Sequence, residues 1–219
     1  MKLYPVMLNL EGRRVIVIGG GSVAVRKARD LLDNDALVTV ISPTFIDEFD
    51  ELKKRYAGRL DLQQRSYRKG DLQGALIVFS ATNNRELNRV VYNEETELNI
   101  FINAVDDPGN CTFTVPSSCT RGDLVVTVST GGVSPALSAR MRREIEKYIP
   151  ESIEDTLAAL KLARNHLQND AEFANISPDQ RGKILKQIVN DDDLLDELVN
   201  CFHSGTVTQF LVRITADNI

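Results

Sequence analysis

Cysteine and histidine are scarce in this chain, and neither is arranged to hold a metal. Cys111, Cys119 and Cys201 form no C-x-x-C pair and no even disulfide set, which fits reduced thiols in a reducing compartment. His166 and His203 stand in the C-terminal third among helix-forming residues and are assigned no role. Long apolar runs are also missing. The longest, around Ala75 to Phe79, is far too short to span a bilayer, and Met1 to Leu10 lacks the apolar stretch of a secretory signal. The expected location is cytoplasmic, with no membrane partner. No basic stripe with interleaved aromatics occurs, so nucleic acid is not an expected partner.

What is present is an ordinary globular composition, 42% hydrophobic and 26% charged over 219 residues, with no low-complexity tract or repeat. The net charge of −5 is uneven. Residues 151–219 carry 12 acidic against 6 basic side chains, whereas residues 1–150 are balanced. An anionic ligand is therefore expected on the first 150 residues, the acidic tail being a solvated helical surface.

Arg14 to Ile18 reads Arg-Val-Ile-Val-Ile, a strand buried on both faces, and meets Gly19-Gly20-Gly21. Ser22 to Asp33 follows as a helix with Val23, Ala24, Ala28, Leu31 and Leu32 on one side. The pattern repeats: a strand at 37–41 ending in Ser42-Pro43, a helix around 45–56, strands near 60–65 and 75–80, a helix near 85–98 and a strand at 100–105. Such alternation predicts an α/β, Rossmann-like, doubly wound parallel sheet. After Asp106-Asp107-Pro108-Gly109 the rhythm changes to two strands, 112–115 and 124–128, with no helix between them. Ser134 and Pro135 then open a helix whose Leu137, Met141 and Ile145 recur every four residues, with Pro150 as its stop. From Glu151 only helices are expected, broken near 175–178 and near Asn190. The division predicted is a Rossmann domain at 1–111, a small α+β segment at 112–149 and a helical domain at 150–219.

Gly19-Gly20-Gly21-Ser22-Val23-Ala24 fits G-x-G-x-x-G/A between a strand and a helix. Gly19 allows the tight turn, Gly21 lets backbone approach a pyrophosphate, and Ala24 allows close helix-to-strand packing. The N–H groups at Ser22 and Val23 face the anion. The usual ribose-binding acid is absent, for the second strand ends in Ser42-Pro43, and residues alone leave NAD and NADP open. Ser42 is placed either at a ribose hydroxyl or simply at the strand end. Ala81, Thr82 and Asn83 lie at the carboxyl edge, where they can line the nicotinamide ribose; Asn83 or Asn84 can equally cap the next helix. Asn103 and Asp106 are expected to converge through the bend ending the fifth strand, Asp106 as a proton acceptor or as one residue of an Asp-Asp-Pro-Gly turn.

Several segments together resemble the siroheme synthase family in its precorrin-2 dehydrogenase members. They are Tyr4-Pro5-Val6 with Leu8 and Leu10, the glycine turn through Val25-Arg26-Lys27, Asn103 to Pro108, Cys111-Thr112-Phe113 with Pro116, Arg121 to Leu124, and Ser129 to Leu137. This resemblance covers roughly residues 3–147. It implies NAD as cofactor, oxidation of precorrin-2 to sirohydrochlorin, a homodimer interlocked through its middle segment and, in some members, ferrochelation. It places Asp106 on the catalytic aspartate. Thr130, Gly131, Gly132 and Ser134 fall on the segment lining the tetrapyrrole cleft, with Asn103 on the substrate side. Val133 stands where many relatives carry lysine, and Asp35 where a glycine is common. A dinucleotide-sensing module without catalysis is the alternative class.

Overall fold

The computed structural model describes residues 3–105 and 107–216, which form two compact units meeting between Val115 and Pro116. The first unit grows from β-branched runs whose successive side chains bury on opposite faces of one sheet. Strands β1 (Arg14–Ile18), β2 (Leu37–Ser42), β3 (Leu60–Gln64), β4 (Ile77–Ser80) and β5 (Phe101–Ala104) are all parallel, in the order β3-β2-β1-β4-β5. Helices α1 (Ser22–Asp33), α2 (Glu48–Arg55) and α3 (Arg85–Leu98) connect them. Val15, Val17, Val38 and Val40 pack with Ala24, Ala28 and Leu32 of α1 and Phe49 of α2. Ile16, Ile18, Ile41, Val78 and Ile102 pack the other face with Val91 of α3. Period-two alternation thus feeds two helical layers, and the order reverses between β1 and β4, the switch point at which such sheets bind ligands.

Local chemistry sets the connections. Asp35 takes the left-handed conformation at φ +60° and pairs with Arg59, so the departure from glycine is accommodated. Asn84 caps α3 by accepting from the N–H groups of Glu86 and Leu87, both at 3.0 Å, and Asn99 ends it in the left-handed region. Helix α2 is shorter than expected, Phe45 and Ile46 lying in the loop before it, because the Ile46 N–H donates instead to Gly20 O at 3.0 Å.

The second unit holds a hairpin of β6 (Ser117–Arg121) and β7 (Leu124–Val128), then α4 (Pro135–Glu146), which packs on both strands. The strand expected over 112–115 does not form. Thr112 donates its N–H to Ile102 O at 2.9 Å, but in return the Ile102 N–H finds the Thr112 Oγ1 at 2.8 Å and the Ala104 N–H finds the Cys111 Sγ at 3.2 Å. Side chains replace carbonyls as acceptors, so the segment flanks β5 without forming a ladder. Helix α4 stops at Glu146, before Pro150, through a tightening turn at Lys147 to Ile149.

Helices α5 (Ile153–Asn169), α6 (Pro178–Asn190), α7 (Asp192–Ser204) and α8 (Val207–Ala216) enclose Ala159, Ala163, Leu167, Ile188, Leu198 and Leu211. The breaks expected near 175–178 and Asn190 are present, sealed by a Ser177–Gln180 capping box and by Asp191. Another falls at Gly205, left-handed at φ +72°. His166 pairs with Asp170 and His203 with Asp155 on this unit.

Candidate functional site

The glycine turn is built by three different constraints. Gly19 hangs from β2 through its N–H to Ile41 O at 3.0 Å, with φ +123°; a Cβ there would lie 2.3 Å from Ala81 O. A Cβ on Gly20 would meet Thr44 O at 1.9 Å and the Ser42 Oγ at 2.8 Å. Both positions demand glycine for the fold itself. Gly21 is different. Its backbone is extended, at φ −94° and ψ −171°, and nothing lies within 4 Å of a Cβ placed on it. It opens α1 without a side-chain cap, and no acid stands in the first turn. The N–H groups of Ser22, Val23 and Ala24, in the first turn of α1, are thus free for an external acceptor, and open space lies beside Gly21. Ala24, wholly buried, lets α1 lie close on the sheet.

Beside this turn run the carboxyl ends of β2 and β4. Ser42 is buried at the end of β2 while Pro43 is exposed; no carboxylate occupies that position. At the end of β4, Ala81 and Thr82 are half-buried and Asn83 is exposed. Thr82 Oγ1 accepts from the Asn84 N–H at 3.2 Å, and the Thr82 carbonyl accepts from Asn88 Nδ2 at 3.2 Å. Asn88 also bonds the buried Ser80 hydroxyl at 2.7 Å. The cap is therefore Asn84, leaving the Asn83 side chain available. Asn88 shapes this edge, yet from the sequence it reads as one more polar residue of a helix. Lys27 is likewise missed: its Nζ lies 5.4 Å over the Phe79 ring, and burial pulls its pKa below the ordinary lysine value.

Asn103 faces Phe79 across the β4–β5 pair and spends its Nδ2 on Phe113 O at 3.1 Å, so it fastens the following segment to the sheet. Val105 N–H donates to Ser80 O at 2.9 Å. Asp106 lies outside the described residues. Its neighbours are tied down: Asn110 Nδ2 donates to Asp107 Oδ2 at 2.7 Å, and the Cys111 thiol lies 3.3 Å from the carbonyl oxygens of both Ala104 and Asp107.

In the second unit, Thr130 and Ser134 lock the entrance to α4. Thr130 Oγ1 accepts from the Ser134 N–H and reaches the Ser134 carbonyl, each at 3.0 Å, and lies 3.0 Å from the buried Ser138 Oγ. Ser134 caps the helix through the Leu137 N–H at 3.2 Å. Gly131 and Gly132 are left-handed, at φ +63° and +85°, and with Val133 they stand exposed. The Thr130 hydroxyl is occupied inside the loop and the Gly131 N–H donates to Ser129 Oγ at 3.2 Å, while Gly132 leaves its backbone exposed. Among the described residues no group of three or more His, Cys, Asp or Glu side chains could hold a metal, and no helix is long and apolar enough to cross a membrane.

Residues 6–117 match the protein family described as "Putative NAD(P)-binding", and residues 121–148 match the central region of sirohaem biosynthesis proteins. Siroheme synthase 2 of Halorhodospira halophila is 39% identical over 150 residues, 68% of this chain and 30% of that protein. Siroheme synthase 2 of Aeromonas salmonicida is 40% identical over 153 residues, 70% of this chain and 31% of that protein. Siroheme synthase 3 of Aeromonas hydrophila is 34% identical over 194 residues, 89% of this chain and 40% of that protein. The chain thus spans 30% to 40% of the length of these relatives. A solved structure of SirC, a precorrin-2 dehydrogenase, matches 98% of this chain and all of its own, with a TM-score of 0.76 and 27% identity. With its dinucleotide turn at the switch point and its middle segment matching the sirohaem region, the chain belongs to the siroheme synthase family, in its NAD(P)-binding and central parts.

Proposed function

We propose that this chain oxidises precorrin-2 to sirohydrochlorin with NAD. The observation that carries the reading is the glycine turn. Gly19 and Gly20 are required by the fold, but Gly21 is required by nothing in the protein, and it opens the helix end on which a pyrophosphate sits. A structural likeness to SirC over nearly the full chain supports the choice of substrate.

In this reading Gly21, Ser22, Val23 and Ala24 hold the pyrophosphate. Ser42 and Pro43 border the adenosine ribose, and Ala81, Thr82 and Asn83 border the nicotinamide end. The cofactor supplies a hydride acceptor. Asp106, directly after the Val105 that β4 anchors, takes the proton, so that precorrin-2 and NAD⁺ give sirohydrochlorin, NADH and H⁺. Asn103 holds the neighbouring segment in place. Thr130 and Ser134 shape a loop in which the Gly131 N–H is held by the Ser129 hydroxyl and the exposed Gly132 offers its backbone N–H to a carboxylate of a tetrapyrrole. Ferrochelation by the same carboxylate is the second reading, favoured by the demand that pyrrole protons leave there too.

The functional form is a homodimer joined through residues 112–149, in the cytoplasm. Supporting this, Val125 of the hairpin and Leu137, Met141 and Ile145 of α4 are exposed, as is Tyr148 beyond it, leaving apolar side chains for a second copy to cover. Anaerobic incubation with precorrin-2 and NAD, following NADH absorbance, tests the reaction. Incubation with sirohydrochlorin and ferrous or cobaltous ion without NAD tests chelation. NAD binding without turnover would instead favour the sensing module.

A further inference from the structure

Asn88, in the first turn of α3, spends both ends of its amide on the carboxyl edge of β4. Its Oδ1 accepts from the Ser80 hydroxyl at 2.7 Å, and its Nδ2 donates to the Thr82 carbonyl at 3.2 Å. Ser80 is fully buried, so its hydroxyl depends on that acceptor. Two further bonds hold the same stretch: Ala81 N–H donates to Ile18 O at 2.8 Å, and Thr82 Oγ1 accepts from the Asn84 N–H at 3.2 Å. With the Thr82 carbonyl and hydroxyl oxygens both engaged, three donors are left without an acceptor among the described residues: the Thr82 N–H, the Asn83 N–H and the Thr82 hydroxyl hydrogen.

These donors stand at the end of the strand that pairs with β1, across the switch point from the end of β2. A dinucleotide seated on the glycine turn lays its adenosine toward β2 and its other half toward β4, where ribose hydroxyls and a carboxamide oxygen can accept hydrogen bonds. We propose that Asn88 is a positioning residue for the cofactor, its amide setting the backbone of Ala81, Thr82 and Asn83 so that their free donors meet the nicotinamide half of NAD. This rests on the reading of the glycine turn as the dinucleotide site. An amide suits the task because it accepts at one atom and donates at the other, whereas a carboxylate in its place would repel the Thr82 carbonyl. Asn88 itself touches no cofactor atom in this account; it acts through the turn that it holds.

The test is Asn88→Leu, which keeps the size of the side chain and removes donor and acceptor together. Calorimetry on the full chain measures the Kd for NAD and, separately, for ADP, which carries the adenosine and both phosphates but no nicotinamide half. Asn88→Leu weakens NAD binding roughly tenfold, the scale of one or two hydrogen bonds, and leaves ADP binding within about twofold of the parent. That split is what a merely structural role would not produce, since general loosening of the fold weakens both ligands alike. An unchanged Kd for NAD overturns the positioning role and leaves Asn88 as no more than an acceptor for the buried Ser80 hydroxyl. Equal weakening of NAD and ADP overturns it too. A parent chain that binds neither NAD nor ADP overturns the dinucleotide reading and the role of Asn88 with it; a parent that binds both, beside a variant that matches it, overturns the role of Asn88 alone. Should Asn88→Leu fail to fold, Asn88→Ala takes its place with the same expected outcomes.

Discussion

A Cβ on Gly19 would stand 2.3 Å from the carbonyl oxygen of Ala81, where β1 and β4 deliver their carboxyl ends side by side. That closeness separates two glycines of one motif. Gly19→Ala must push back the Ala81 carbonyl and hold alanine at φ +123°, so it is expected to destabilise the protein by about 2 kcal/mol or more. Thermal or denaturant unfolding measures the loss, and an unchanged transition would remove the constraint.

Gly21→Leu behaves oppositely. Nothing in the protein meets its side chain, so the variant folds with near-normal stability while NAD affinity falls at least about tenfold, the chain's own backbone no longer reaching the pyrophosphate. Calorimetric titration beside an unfolding curve separates the two effects. Unaltered affinity would take the turn out of the cofactor site.

The strand, glycine turn and helix were legible because β-branched runs, obligatory glycines and a 3.6-residue apolar pattern all point the same way there. Residues 112–115 misled for an equally physical cause. Their composition is that of a strand, but the acceptors presented to β5 are the Cys111 sulfur and the Thr112 hydroxyl, which no periodicity reports. Gly20 reads as filler in G-x-G, although the Thr44 carbonyl leaves no room for any other residue. The choice between Asn83 and Asn84 as helix cap depended on backbone direction, which composition does not encode.

Glu94 ties the loop before β4 to α3. Nearly fully buried, it accepts from the Tyr67 hydroxyl at 2.7 Å, Gly70 N–H at 2.8 Å and Leu72 N–H at 3.4 Å. Burial and this bond hold the Tyr67 pKa well above the ordinary phenol value. Glu94→Ala orphans all three donors and is expected to cost about 3 kcal/mol in denaturant unfolding, with Glu94→Gln losing less because it keeps an acceptor. Equal stability of Glu94→Ala and the parent would contradict this.

Asp71 carries a pH dependence. Two bonds from Arg65, at 2.7 and 2.8 Å, and one from the Arg68 N–H hold its carboxyl below the usual carboxylate range. A depressed folded pKa gives stability that is complete above the unfolded value of about 4 and is lost as pH falls through the folded one. The parent should therefore exceed Asp71→Asn in stability at neutral pH, and the gap should close under acid. A gap that stays constant from pH 7 to pH 2 would rule this out.

The exposed stripe of α4 gives an assembly prediction. Met141→Glu places a charge between Leu137 and Ile145 on that stripe and, on the proposed dimer, should leave a monomer in sedimentation at micromolar concentration. A parent chain that is itself monomeric over that range would contradict the proposed assembly.

The central claim is that a carboxylate at position 106 removes the proton while hydride leaves the macrocycle. Asp106→Asn preserves size and hydrogen-bonding reach but accepts no proton at neutral pH. The measurement is the rate of NADH formation from precorrin-2, with NAD affinity determined in parallel on the same preparation. A fall of roughly 10²- to 10⁴-fold in rate at constant NAD affinity is predicted; full activity in Asp106→Asn would show that this residue only turns the chain and that the mechanism is wrong.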